Sequence, residues 1–147
     1  MTADSWSTAT AVLRLATQLV EGVQRGVAEA GFDDVRPVHG FAFARLSTGP
    51  ATTAQLADHL GITKQATSEL VQYLVDRGYL TREPDPTDGR ARLLVLTDRG
   101  HGCTRAAQTA AARTVDSWER RIPPSQVEAL HAALAAAATP GHLRPAW

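Results

Sequence analysis

The sequence predicts a mainly α fold (α+β), with long helices at both ends around a compact middle of short helices and one β-hairpin. Three observations predict it. Apolar residues recur at helical spacing through residues 5–30. Residues 52–77 read as two short helices joined at a tight turn. Residues 78–97, GYLTREPDPTDGRARLLVLT, hold two β-prone runs around a turn-forming tip that carries arginine. Helix, turn, helix and basic hairpin, in that order, make a winged helix-turn-helix. The flanking helices then read as N- and C-terminal dimerisation helices.

In the first helix Trp6, Ala9, Leu13, Ala16, Val20, Val23 and Val27 step by alternating threes and fours, the spacing of a helix seam. Val12, Leu15 and Leu19 add a second stripe, more than one neighbour would cover. Gly31 is the expected stop. A second helix is expected from Pro37, since proline suits the first helical turn, to about Ser47, ahead of the Gly49-Pro50 breaker.

Thr52 and Gln55 form a capping box for the next helix, which carries Leu56, Ala57 and Leu60 and ends at Gly61. Thr63 caps the one after it, ended near Gly78. With Leu70, Val71 and Leu74 taken as its buried stripe, Lys64, Gln65, Ala66, Ser68, Glu69, Gln72 and Asp76 face outward.

Asp88-Gly89 is expected to close the hairpin, because both residue types tolerate the positive φ of tight turns. Thr97 caps a third long helix with an alanine-rich stretch (106–112) and Trp118, broken at Pro123-Pro124. Ser125 and Glu128 read as a capping box for a last helix with Val127, Leu130 and Leu134 on one face. The chain thus divides into residues 1–36, an N-terminal dimerisation helix; 37–100, the winged module; and 101–147, C-terminal dimerisation helices. Apolar stripes wider than the middle module can cover point to a homodimer.

At 147 residues the chain can bury a real core, and its 44% hydrophobic and 20% charged content is that of a globular protein. No apolar run reaches membrane-spanning length, and no basic start precedes an apolar block, so a cytoplasmic location without a membrane partner is expected. One cysteine excludes an intrachain disulfide. The histidines show no metal-ligand spacing, so neither a metal nor a cofactor is expected. Paired carboxylates, a Ser-His-Asp set and a phosphate-cradling glycine loop are all missing, and no catalytic residue is assigned.

The helix-turn-helix and basic hairpin point to nucleic-acid chemistry, since the commonest partner of a winged helix is duplex DNA. The second helix of a helix-turn-helix enters the major groove, where glutamine pairs with adenine and lysine reaches guanine or phosphate. The first amides after Thr63 can hold a phosphate. Arg90 and Arg92 in the hairpin suit a narrow minor groove, with Asp88 placed to orient the Arg90 guanidinium. The candidate DNA-binding residues are Thr63, Lys64, Gln65, Ser68, Glu69, Gln72, Asp88, Arg90 and Arg92. Formal net charge is zero, and Lys64, Arg77, Arg82, Arg90, Arg92, Arg99 and Arg105 stand against Glu69, Asp76, Glu83, Asp85, Asp88 and Asp98. Any positive face must therefore come from geometry. The alternative is a winged helix used for protein contacts, with the wing as a docking edge.

The segments QLADHLGITKQATSELVQYLVDRGYL (55–80), DPTDGRAR (85–92) and LTDRG (96–100) together resemble the MarR family of multiple-antibiotic-resistance-type bacterial regulators. The resemblance implies a dimeric winged-helix transcription factor, usually a repressor at a pseudo-palindromic operator and often released by small phenolic or other aromatic acids. It implies Asp88 and Arg90 as a wing pair at the minor groove, and major-groove contacts from Thr63 to Gln72. Two departures stand out. Thr67 replaces a usual apolar residue, so its hydroxyl needs a partner, expected to be the carbonyl four residues back. Glu69 stands where a basic residue is frequent.

Family ligands bind between the dimerising helices and the winged module. Trp6, Arg14, His39, Phe43 and Trp118 are candidates for such a pocket, with Phe41 and Arg45 as further possibilities of the same kind. His39 at a helix start also reads as a structural, hydrogen-bonded residue. The family's peroxide-sensing cysteines lie in the N-terminal helix, where this chain has none. Cys103 has Arg99 and Arg105 nearby to activate it, but the preferred reading is an inert cysteine.

Overall fold

The computed structural model describes residues 4–145. Their order is α1 (Ser5–Glu29), α2 (Pro37–Leu46), α3 (Thr53–Leu60), α4 (Lys64–Asp76), β1 (Leu80–Asp85), β2 (Asp88–Leu96), α5 (Asp98–Trp118) and α6 (Pro124–Ala137). This is the mainly helical, winged helix-turn-helix architecture expected from the sequence. Two compact units result: one from the chain up to Asp33 with Ala107–Thr139, the other from Asp34–Ala106 with the segment from Pro140 onward. Among the described residues no helix is long and apolar enough to cross a membrane.

In the winged unit, local signals set most boundaries. Pro37 occupies the first turn of α2. The Thr52 hydroxyl accepts the Gln55 amide at 3.1 Å, while the Gln55 side chain accepts the Thr52 amide at 2.9 Å. Gly61 ends α3 in the left-handed region at φ +69°, which a side chain would strain. Thr97 accepts the Gly100 amide at 3.2 Å and donates to the Gly78 carbonyl at 2.6 Å, starting α5 and tying it to the foot of the wing.

The core of this unit is Phe43, Leu46, Leu56, Leu60, Val71, Leu74, Tyr79, Leu80, Leu94, Leu96 and Cys103. β1 and β2 are antiparallel from Leu80↔Leu96 to Pro84↔Arg92. Ala51 adds an isolated antiparallel bridge to Leu94, through bonds of 2.7 and 3.3 Å. On α4 the buried stripe is Thr67, Val71 and Leu74, with Leu70 only partly covered.

The helical unit is held by close approach. A Cβ on Gly26 would overlap the Ala110 Cβ, and one on Gly22 would overlap the Thr114 side chain. Thr114 is pinned by donating to the Ala110 carbonyl at 2.9 Å. Gly22 and Gly26 lie four residues apart, as do Ala110 and Thr114, so each pair forms one ridge per helix. Among the described residues this unit buries only Val27 and Ala110.

Two sequence expectations are corrected here. Ser125 and Glu128 do not cap α6: its N-cap is Pro123, without a side-chain bond, and Pro124 occupies the first turn. The fixed φ of proline starts that helix instead. The hairpin does not close at Asp88-Gly89 either. Asp85 faces Asp88, so the turn is Pro86-Thr87, and Gly89 has no positive φ. The Asp85 carboxylate accepts both the Thr87 amide (2.9 Å) and hydroxyl (2.8 Å), an Asx-type closure that needs no left-handed residue.

Gly26→Ala is expected to destabilise the chain by about 1–3 kcal/mol through overpacking, although alanine favours helix by about 1 kcal/mol. Urea unfolding followed by circular dichroism measures this, and an unchanged or raised midpoint would rule out the tight α1–α5 crossing.

Candidate nucleic-acid interface

The α4 face is built by a cap and a buried polar residue. Thr63 accepts the Ala66 amide at 3.1 Å, so the chain enters the helix with the Lys64 and Gln65 amides at its open end. Thr67 is fully buried, and its hydroxyl donates to the Thr63 carbonyl at 2.9 Å. That is the partner its position required. With Thr67, Val71 and Leu74 turned inward, Thr63, Lys64, Gln65, Ser68, Glu69 and Gln72 are all exposed on the outward face.

These residues are not equally free to read a base. Gln72 donates to Asp76 Oδ1 at 2.7 Å and accepts from Arg82 Nη2 of β1 at 3.1 Å, so both ends of its amide are engaged. Arg82 thereby joins the wing to α4. The sequence named it only as a charge, since nothing local marks a partner ten residues away.

In the wing, Asp88, Arg90 and Arg92 are exposed. Asp88 Oδ1 accepts the backbone amide of Arg90 at 3.1 Å. It thus fixes the main chain there and does not clamp the guanidinium, as the sequence reading had it. The ladder is irregular past Pro84, where Asp85 pairs with Asp88. Thr87 holds the Asp85 carboxyl below its usual pKa through amide and hydroxyl bonds. Asp76, Asp85 and Asp88 thus each accept a hydrogen bond within the unit.

Behind this surface lies a polar cluster that the sequence reading missed. Asp34 accepts the Tyr79 hydroxyl at 2.5 Å through its carboxylate and the Tyr73 hydroxyl at 2.6 Å through its carbonyl. Its carboxylate lies 3.7 Å from Arg77 Nε and 4.0 Å from Arg99 Nη2. Arg77 lies 3.4 Å over the Tyr73 ring and Arg99 4.5 Å over that of Tyr79. Burial and Asp34 both push the Tyr79 phenol above its ordinary pKa.

Of the candidate pocket residues, His39 and Phe43 belong to the winged unit's core. His39 is buried; its Nδ1 accepts the Arg36 amide at 2.9 Å, and its ring stacks on Tyr73 at 4.8 Å. Phe43 packs against Tyr79 with ring centroids 5.5 Å apart. Trp6, Arg14 and Trp118 lie in the helical unit, where Trp6 is 74% exposed. Trp118 lines a groove of about 520 Å³ with Arg25, Arg113 and Arg121 among others, and neither Trp6 nor Arg14 lines it. Cys103 is buried, and burial pushes its thiol up to about 11, the inert condition. Among the described residues no group of three or more His, Cys, Asp or Glu is placed to hold a metal.

Burial, followed by the charges of Arg36 and Arg77, lowers the His39 pKa from 6.5 to about 4. The unfolded chain then binds the extra proton between these values, so stability rises with pH across that window. The contribution is full above pH 6.5 and is lost as the pH falls toward 4, up to about 3 kcal/mol in all. Urea unfolding of wild type and His39→Asn at pH 7.5 and 4.5 tests this. The wild type should lose more between the two, and parallel losses would contradict a buried neutral imidazole.

The MarR family model matches residues 34–91, which span α2 to the wing. RV1404 from Mycobacterium tuberculosis has a similar structure, with TM-score 0.81 and 26% identity over 92% of this chain and 93% of that one. Wild type MarR (apo form) from E. coli superposes with TM-score 0.74 at 16% identity, covering 95% of this chain and all (100%) of the other. A transcriptional regulator (MarR family) from Rhodococcus sp. RHA1 gives TM-score 0.69 at 19% identity, covering 97% and 100%. No curated protein sequence matches this chain.

Proposed function

We propose, from the match of residues 34–91 to the MarR family model and from the shared fold, that this chain is a homodimeric, sequence-specific DNA-binding repressor. It acts at a pseudo-palindromic operator and is released by a small aromatic or phenolic acid. One observation carries the DNA reading. The α4 face of Lys64, Gln65, Ser68 and Glu69 is fully outward because Thr67, Val71 and Leu74 take up the inward side. A wing bearing Arg90 and Arg92 belongs to the same compact unit. In this reading Gln65 and Ser68 meet base edges, Lys64 and the Thr63 cap meet phosphate, and Arg90 enters the minor groove. Gln72 takes part only if its bonds to Asp76 and Arg82 open.

The dimer is supported by what the helical unit leaves uncovered. Trp6, Leu13 and Val12 on α1 are 74, 66 and 50% exposed, Leu134 on α6 is 42% exposed, and α6 has no buried residue. A two-fold pair of such faces supplies the missing cover. The groove beside Trp118, with Arg113 and Arg121, offers a ring and guanidinium groups to an aromatic acid.

The competing reading is a protein-docking winged helix, favoured by zero net charge and by Glu69 on the reading face. Salt separates the two: DNA affinity falls steeply as salt rises. Fluorescence anisotropy on duplexes tiling the DNA around the chain's own gene, at two salt concentrations, makes the test. Saturable, selective binding to one duplex supports the repressor, and weak, unselective binding throughout favours protein docking.

Arg90→Ala is expected to weaken selective binding by roughly 1–3 kcal/mol with the fold intact, whereas Gln65→Ala or Ser68→Ala changes which base is preferred. Unchanged affinity of Arg90→Ala would remove the wing from the interface. Sedimentation equilibrium is expected to give twice the chain mass, and Leu13→Glu to give monomers; a monomeric wild type would contradict the dimer.

A further inference from the structure

Asp34 lies in the segment between α1 and α2, yet its contacts reach α4, the foot of the wing and the start of α5. Its carbonyl holds Tyr73 on α4 (2.6 Å), and its carboxylate holds Tyr79 at the foot of the wing (2.5 Å). The same carboxylate faces Arg77, at the C-cap of α4, and Arg99 in the first turn of α5. Between Tyr73 and Tyr79 the chain turns through Gly78 at φ +77°, a residue that gives the turn no stiffness of its own. Asp34 therefore bridges that turn from outside.

We propose that Asp34 is a positioning residue for DNA recognition, holding the C-terminal half of α4 and the base of the wing in the one relation that lets both meet a single duplex. The inference rests on the DNA reading above and extends it to a residue that touches no DNA. Helix and hairpin read neighbouring grooves, and base contacts need hydrogen-bond geometry. A small change in their relation therefore costs base contacts, whereas phosphate contacts through long flexible cations survive it. The rival account is simple charge, since a carboxylate near DNA repels it. The two accounts differ in sign: removing the charge tightens binding if only repulsion matters, and weakens selective binding if Asp34 positions the reading elements.

Two variants separate these accounts. Asp34→Asn keeps an acceptor for Tyr79 but strips the charge from Arg77 and Arg99. Tyr79→Phe keeps the charge and removes the hydroxyl. Each is assayed by anisotropy on the duplex that wild-type protein selects from a random library and on an unrelated duplex of equal length, with a thermal melt in parallel. Both variants should lower the ratio of selected to unrelated affinity about tenfold, the cost of a mismatched base pair, while affinity for the unrelated duplex stays within about twofold. A merely structural role lowers the folded fraction and scales both duplexes together. An unchanged ratio in both variants therefore overturns the proposal, as does tighter binding of Asp34→Asn to both duplexes. If Asp34→Asn does not fold, the Tyr79→Phe ratio decides. A wild type that selects no duplex refutes the DNA reading itself and this inference with it, whereas a selective wild type with unaltered variants overturns the inference alone.

Discussion

In the winged unit two tyrosines, two arginines and one carboxylate solve a problem set by burial. Tyr79 is fully buried, and a buried phenol must place its hydroxyl. Asp34 receives it, and Arg99 donates to the same oxygen at 3.0 Å. The ion pairs to Arg77 and Arg99 are long and partly exposed, so each contributes little alone. Stacking on Tyr73 and Tyr79 adds contact that does not depend on ideal charge geometry. Together these interactions tie the segment before α2, α4, the foot of the wing and the start of α5. No buried polar side-chain atom among the described residues lacks a partner.

The two compact units follow different physical rules. The winged unit has a filled core of large side chains and would be recognised as a small domain by burial alone. The helical unit relies on the backbone approach allowed by Gly22, Gly26 and Ala110, with little apolar burial of its own. Small residues permit contact but remove little surface from water. Trp6, Val12 and Leu13 on α1 and Leu134 on α6 stay exposed in the single chain.

The acidic residues around the wing also have structural work. Gln72, Arg82 and Asp76 form one chain of bonds, while Asp85 and Asp88 brace the hairpin's backbone. Carboxylates used in this way shape the surface as well as charge it. The wing is therefore stiffened by the acidic residues that, counted by sign alone, argue against a DNA-binding surface.

The sequence by itself determined the helices, their order, the caps at Thr52, Thr63 and Thr97, the strand pair and the outward face of α4. These depend on neighbours within four residues, or on the apolar period, and both are written locally. The partner of the Thr67 hydroxyl was legible for the same reason. Tertiary structure decided the rest. Asp88-Gly89 looked like the turn, but strand register moved the closure to Pro86-Thr87, because pairing across a ladder outweighs a local preference. Asp34 carried no local signal at all, since its partners lie 39 and 45 residues away. His39 and Phe43 read as pocket candidates by residue type, while folding packed both into the winged core. Contacts of that separation are fixed by which surfaces meet when the core closes, and a linear pattern does not encode them.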